Sequence, residues 1–370
     1  MSNKSGIVPP FRADQVGSLL RPPSLIAARE QRKREQISAV ELKKHEDDAI
    51  RDVVARQESI GLIGVTDGEF RREWWHLDFL RLLEGVTLAE GPGPKFGGAE
   101  TQPLIATVTG KVRCREPIMT EDFRFLKAVT RRTAKLTIPS PSMLHLRGGR
   151  GAISREAYPD LEEFWHDTAQ AYSQAIAHLA AAGCTYLQLD DVAFAYLADE
   201  KFRDSCRHNG DDPSQLPQRY VDTINSALRA RPAGMTVTLH TCHGNFRSAW
   251  ATEGDYECVA EAMFRCDIDG FFMEFDSPRS GSFEPLRFMP RNRKAVLGLV
   301  TTKVGQMESE YELMRRIDAA ARLVPLENLC LSPQCGFSSH EIGNKLSHED
   351  QWRKLELVVN VARKVWGAQA

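Results

Sequence analysis

The residues of this chain best suited to do chemistry form a short triplet, His240-Thr241-Cys242. The triplet ends the apolar run Met235-Thr236-Val237-Thr238-Leu239, which reads as a strand. Alternate side chains of a strand share a face, so His240 and Cys242 point the same way. A neutral imidazole beside a thiolate supplies half of a tetrahedral zinc site. Two other strand ends offer the rest: Glu274, closing Ile268 to Met273, and Cys335, following Asn328 to Pro333. His243 is a rival ligand, on the opposite face if the strand continues. The competing reading of the triplet is a packed histidine beside an inert buried thiol, since free cysteine is commonly buried. The ligands are too far apart in sequence for a zinc finger with local pairs. A fold that collects strand ends is therefore required.

The surrounding pattern predicts such a fold. Core strands end near Ser18, Glu69, Pro139, Asp190, Cys242, Glu274, Val300 and Cys335, and helical stretches lie between most of them. Eight alternating strand and helix units predict a single (β/α)8 TIM barrel, whose active site lies where the strands end. A doubly wound open sheet is the alternative, but no G-x-G-x-x-G follows a strand. Residues 1–10 read as a flexible arm and residues 11–370 as the barrel. Ser24 to Arg56 reads as one or two helices. Glu84 to Gln102 reads as a loop, Pro103 to Arg113 as a hairpin excursion, and Phe202 to Pro217 as an inserted excursion or lid. Asp160, with Glu163 three residues on, predicts a capping box at the start of a helix. The glycine-rich Arg147 to Gly151 lacks the ending of a phosphate-binding loop and reads as flexible surface.

Composition narrows the function classes. The chain has 370 residues, a net charge of −2, 42% hydrophobic and 26% charged residues, which is ordinary globular composition. The near-neutral balance gives no support for a nucleic-acid or membrane surface. No apolar run approaches the ~18 residues of a membrane span, and Met1 to Arg12 has no secretory h-region. Eight cysteines in a chain this long do not make a disulfide framework. A reducing, cytoplasmic setting is the expectation, and a homo-oligomer is compatible with it.

On these residues the chain resembles the cobalamin-independent methionine synthases, within the superfamily shared with uroporphyrinogen decarboxylase. The resemblance is to their C-terminal catalytic barrel, as a stand-alone core form, from about Phe11 onward. It implies that His240, Cys242, Glu274 and Cys335 (in Pro333-Gln334-Cys335-Gly336) are ligands of a Zn2+ cofactor. Gly17-Ser18 sits like the family's I-G-S motif, which binds the amino-acid carboxylate. Glu69, in Asp67-Gly68-Glu69-Phe70, and Asp190 sit like the carboxylates that hold the amino group. The implied reaction is methyl transfer to the thiol of homocysteine, with methylfolate or a corrinoid as donor.

The sequence departs from that pattern on the donor side. Asp191-Val192 replaces the family's E-P, Lys303 stands where its catalytic histidine is expected, and Met143-Leu144-His145-Leu146 lacks its folate-stacking tryptophan. Methylfolate needs protonation at N5 before it is a good electrophile, so a general acid is required. Lys303, His145 and Asp191 are the candidates, and Lys303 would need a depressed pKa. The same barrel serves zinc enzymes that join a thiol to an epoxide, so alkyl transfer to another thiol is the alternative.

Overall fold

Strands buried on both faces require a parallel sheet covered by helices, and the central strands of this chain are buried almost throughout. The computed structural model describes residues 8–91, 96–97 and 104–367. Helices α1 (Pro23–Lys33) and α2 (Ala39–Ile60) come first, then β1 (Gly64–Val65) and α3 (Leu77–Leu80). A hairpin of β2 (Glu84–Glu90) and β3 (Leu104–Arg113) leads to α4 (Thr120–Val129), β4 (Thr133–Pro139) and α5 (Met143–Leu146). The long α6 (Leu161–Ala181) precedes β5 (Tyr186–Asp191), α7 (Ala193–Leu197), α8 (Glu200–His208) and α9 (Leu216–Leu228). The rest alternates: β6 (Thr236–Thr241), α10 (Glu257–Met263), β7 (Gly270–Glu274), β8 (Lys294–Val300), α11 (Glu310–Ala320), β9 (Leu329–Pro333) and α12 (His348–Trp366).

Seven of these strands form one parallel sheet in the order β1-β4-β5-β6-β7-β8-β9. Sequence order equals spatial order apart from the separate antiparallel pair β2–β3. This is an α/β fold with a curled sheet, of TIM-barrel type. The expected first strand, ending near Ser18, is not a regular strand. It makes one parallel bridge, Ala13 with Leu331, beside β9. On its other side Leu19 N–H donates to Gly68 O (3.0 Å), and the Thr66 hydroxyl donates to Gly17 O (2.7 Å). Its polar residues explain the irregularity, because they replace ladder bonds with side-chain bonds. Lys135 donates to Asp14 (3.2 Å), Tyr186 donates to Asp14 (2.7 Å), and Gln188 donates to Val16 O (2.7 Å). Val16 packs with Phe272, Val296 and Cys330 in a small apolar cluster of its own.

Several local expectations change. Glu84–Glu90 is a strand rather than a loop, paired with β3 from Glu84↔Arg113 to Glu90↔Leu104. Residues 92–95 and 98–102 of that expected loop, Pro103 of the expected hairpin, and residues 1–7 of the expected arm lie outside the described residues. Pro10 does not belong to a loose arm: it is buried, and its carbonyl accepts from Lys294 Nζ (3.3 Å). The expected lid takes in most of α8, which is capped by Asp199, whose carboxylate accepts from Lys201 and Phe202 N–H. Asp160 caps α6 by accepting from Glu162 N–H (3.0 Å), and no capping box forms because Glu163 pairs with Lys111 instead. Among the described residues no helix is long and apolar enough to cross a membrane.

Candidate metal and thiol site

The C-terminal strand ends meet at one cavity, lined by Ser18, Glu69, Asp190, His240, Cys242 and Cys335 among others. Register puts them there. Asp190 of β5 lies opposite His240 of β6, and Cys242 follows two residues later on the same side. Cys335 needs a tighter arrangement. A Cβ on Gly298 would come within 2.7 Å of the Gln334 Cα, and one on Gly336 within 2.0 Å of the Ser18 hydroxyl. Only glycine lets the segment after β9 fold so closely against β8 and Ser18.

His240, Cys242 and Cys335 each offer a ligand atom, and the three atoms lie within 4.8 Å of one another, all buried. The Cys242 and Cys335 sulfurs are 3.7 Å apart and unbonded. Two thiolates on one tetrahedral zinc, at about 2.3 Å each, stand ~3.8 Å apart, so the pair fits that ion. His240 Nδ1 lies 3.2 Å from Asp190 Oδ1. A proton on Nδ1 directed at that carboxylate is the arrangement that orients metal-binding histidines, and it leaves Nε2, 3.3 Å from Gln334 O, as the nitrogen that would bind an ion on losing its own proton. Burial opposes charge on His240, but Asp190 and Cys335 outweigh it and raise its pKa to about 10. Cys335 is held well below the usual thiol range by the hydrogen bond from Cys242, then by His240, while Cys242 is driven up by the same contact. A metal taking this site displaces those protons.

Glu274 lies outside the group of three. Its carboxylate accepts from Lys303 Nζ (3.1 Å), from the Arg279 guanidinium and from His243 N–H (2.7 Å). Lys303 is also 3.7 Å from Asp276. Burial alone would lower the Lys303 pKa, but Glu274 and Asp276 reverse the sign, and it is raised. The depressed pKa that a lysine acid requires is absent. His243 lies beyond the end of β6 and outside the group of three, its Nε2 3.1 Å from Gly254 O and its Nδ1 3.4 Å from Glu274.

Glu69 sits at the other side of the cavity in a left-handed conformation, φ 61°. Its Oε1 accepts from the Thr137 hydroxyl (2.8 Å) and lies 3.8 Å from Arg72, while Oε2 is buried without a partner among the described residues. Burial pushes Glu69 up to about 7, with Arg72 opposing and Asp190 adding. An unpartnered buried carboxylate oxygen is costly unless a donor arrives. Asp190 Oδ1 also accepts from Gln188 (2.6 Å). The Ser18 hydroxyl accepts from Ser338 N–H at 3.4 Å, and its carbonyl accepts from Phe337 N–H.

Two of the acid candidates are engaged elsewhere. Asp191 borders the cavity, but its carboxylate accepts from Ser140, Ser142, Ala193 N–H and Phe194 N–H, which makes it the cap of α7. His145 does not line the cavity. Its Nδ1 lies 3.0 Å from the Tyr220 hydroxyl, its Nε2 3.4 Å from Asp211, and its ring packs on Trp165. α5 explains this: Arg147, two residues further along a helical turn, falls on the opposite side and does line the cavity. Sequence reasoning placed Arg147 on a flexible surface loop and so missed it, together with His76, Phe96, Asn245 and Phe246. The adjacent pair Trp74-Trp75, followed by His76, was the available signal.

Comparison with known proteins identifies the family. The profile of the family described as cobalamin-independent synthase, catalytic domain, matches residues 11–364. The chain is 46% identical over 361 residues to an uncharacterized Bacillus subtilis protein, YxjH, covering 96% of this chain and 95% of that one. It is 24% identical to the methionine synthase of Pyrococcus furiosus, over 95% of this chain and 91% of that one. A solved structure from Listeria monocytogenes, provisionally named a vitamin-B12-independent methionine synthase, superposes with a TM-score of 0.78 at 38% identity. That superposition covers 98% of this chain and all of the other. The chain therefore belongs to the cobalamin-independent methionine synthase family, a family of methyltransferases, through its catalytic domain.

Proposed function

We propose that the protein is a zinc-dependent S-methyltransferase that acts on homocysteine and forms methionine. The observation that carries this reading is the buried His240, Cys242 and Cys335 group in the same cavity as an unpartnered Glu69 oxygen. His240 through Nε2 and the two cysteine sulfurs would hold the ion, and Glu274 stays in its ion pairs with Lys303 and Arg279. Zinc there supplies a Lewis acid that favours the thiolate form of a substrate thiol.

The chain's own residues then do the positioning. Glu69 Oε2 and the Asp190 carboxylate accept hydrogen bonds from the substrate ammonium, which answers the partner that Glu69 lacks. Ser18, with the backbone beside it, receives the substrate carboxylate. Asp190 has a second task, holding the His240 ring through Nδ1. We read the irregular segment around Ala13 to Ser18 as the eighth position of a closed (β/α)8 barrel, since it spans from β9 to β1. Reduced Cys242 and Cys335 suit a reducing, cytoplasmic setting.

The test is elemental analysis of the purified chain, with calorimetry of homocysteine binding and assay of methionine formation. About one zinc per chain and zinc-dependent homocysteine binding are expected. A metal-free chain that still binds homocysteine with full affinity overturns the reading.

A further inference from the structure

The cavity has a second end that the thiol chemistry leaves unused. Trp74, Trp75, Phe96 and Phe246 line it on one side. Trp74 and Phe246 stack at 5.7 Å with 6° between planes, and Phe96 packs on Phe246 at 5.5 Å. Arg147 lines the same cavity, half-buried, with its guanidinium 5.0 Å over the Tyr196 ring and no carboxylate partner among the described residues. His76 is buried there with Nδ1 unpartnered among the described residues.

Among the described residues the acid candidates do not serve this end. Lys303 is committed to Glu274 and Asp276, Asp191 accepts four hydrogen bonds, and His145 faces α6 and α9. His76 is kept neutral, first by burial and then by Arg147. Among the described residues none of these four side chains offers a proton to a methyl donor that must be protonated before its leaving group departs. An onium donor needs none. Its positive charge is attracted to the faces of tryptophan and phenylalanine rings. A carboxylate on the same molecule would meet the guanidinium of Arg147, which has no carboxylate partner among the described residues and suits planar anions.

We propose that Arg147, His76 and the aromatic wall form the donor subsite, and that its substrate is a small methyl onium carboxylate, a sulfonium or quaternary ammonium. This rests on the thiol-methyltransferase reading above. The acceptor thiol loses its proton to water, and its sulfur attacks the methyl carbon. The new S–C bond forms as the bond from that carbon to the onium sulfur or nitrogen breaks. The electron pair stays with the departing atom, which leaves as a neutral thioether or tertiary amine. Arg147 positions the donor and takes no part in bond making.

The experiment uses the zinc-loaded full chain with homocysteine. Dimethylsulfoniopropionate and glycine betaine are titrated beside trimethylsulfonium and tetramethylammonium, which lack the carboxylate. Tryptophan fluorescence reads binding and methionine formation reads turnover. A carboxylated onium should bind about tenfold or more tightly than its counterpart and should yield methionine. Arg147→Gln should erase that preference while homocysteine affinity stays unchanged, Arg147→Lys should restore part of it, and Trp74→Leu should weaken both members of each pair. A preference that survives Arg147→Gln overturns the subsite. Turnover with monoglutamyl methyltetrahydrofolate but with neither onium carboxylate overturns the donor class. If homocysteine binds normally and no onium does, the donor assignment falls and the thiol reading stands. If homocysteine does not bind, both fall.

Discussion

The two ends of this one cavity are built by opposite means. At the floor, His240, Cys242, Cys335 and Asp190 stand on or just beyond parallel strands, and side-chain hydrogen bonds join two of them: Asp190 accepts from Gln188 and from His240 Nδ1. At the mouth, Trp74, Phe246 and Arg147 come from connections between elements, and ring packing holds them. The difference follows from what each end must do. Ligand atoms for a metal must be placed within a few tenths of an ångström, which rigid strands achieve. A donor subsite must match one molecule among many, and loops vary without disturbing the sheet. The floor is therefore set by the sheet, while the mouth is set by the loops that the sheet carries.

The largest expected effect breaks the floor. Cys242→Ser or Cys335→Ser should take the metal from about one ion per chain to near zero and abolish turnover. Cys330→Ser, equally buried but packed with Val16, Phe272 and Val296, should keep the metal. Elemental analysis of the three variants decides, and retention of full zinc by both ligand variants sinks the site.

Next comes Lys303, which the sequence offered as an acid and the structure shows as an ion-pair partner. Lys303→Met should cost roughly 3 kcal/mol of stability, the low end for breaking a buried pair, since Arg279 remains beside Glu274. Urea unfolding measures this. A catalytic acid would show the reverse pattern, with stability intact and kcat collapsed.

A smaller effect sharpens the amino-acid end. Glu69→Gln should weaken homocysteine by about 1.5–3 kcal/mol, the range for a hydrogen bond to a charged group. It should leave 4-mercaptobutyrate, which lacks the amino group, unaffected. Equal losses for the two thiols, measured by calorimetry, would remove Glu69 from ammonium binding and favour the alternative acceptor.

The smallest effect is on stability against pH. Glu69 titrates at about 7 in the folded chain against about 4.5 when unfolded, chiefly because burial disfavours its charge. Between those values the folded chain binds the extra proton, so stability falls as pH rises from 4.5 to 7. Glu69→Gln removes that slope and should be more stable than the parent at pH 7, by on the order of 1 kcal/mol. A thermal scan at pH 5 and pH 7 checks it, and a parent that gains stability over that interval relative to the variant refutes the assignment.

What the sequence determined by itself was local. An apolar run ending in His-x-Cys dictates an imidazole and a thiol on one face, because side chains of a strand alternate whatever lies beyond it. Regular alternation of buried strands and amphipathic helices was likewise enough to read a parallel α/β sheet of barrel type. Tertiary structure alone decided the rest. The register of the sheet, and a close approach that only Gly336 allows, brought Cys335 to 3.7 Å from Cys242. Partners distant in the chain took Glu274 into ion pairs, made Asp191 a helix cap and buried His145 between two helices. The expected first strand became a segment held by side chains, because Asp14 and Gln15 found buried partners in Lys135 and Gln57. A residue's type states which bonds it can make, but which bond it makes is set by what the folded chain places within about 3 Å of it.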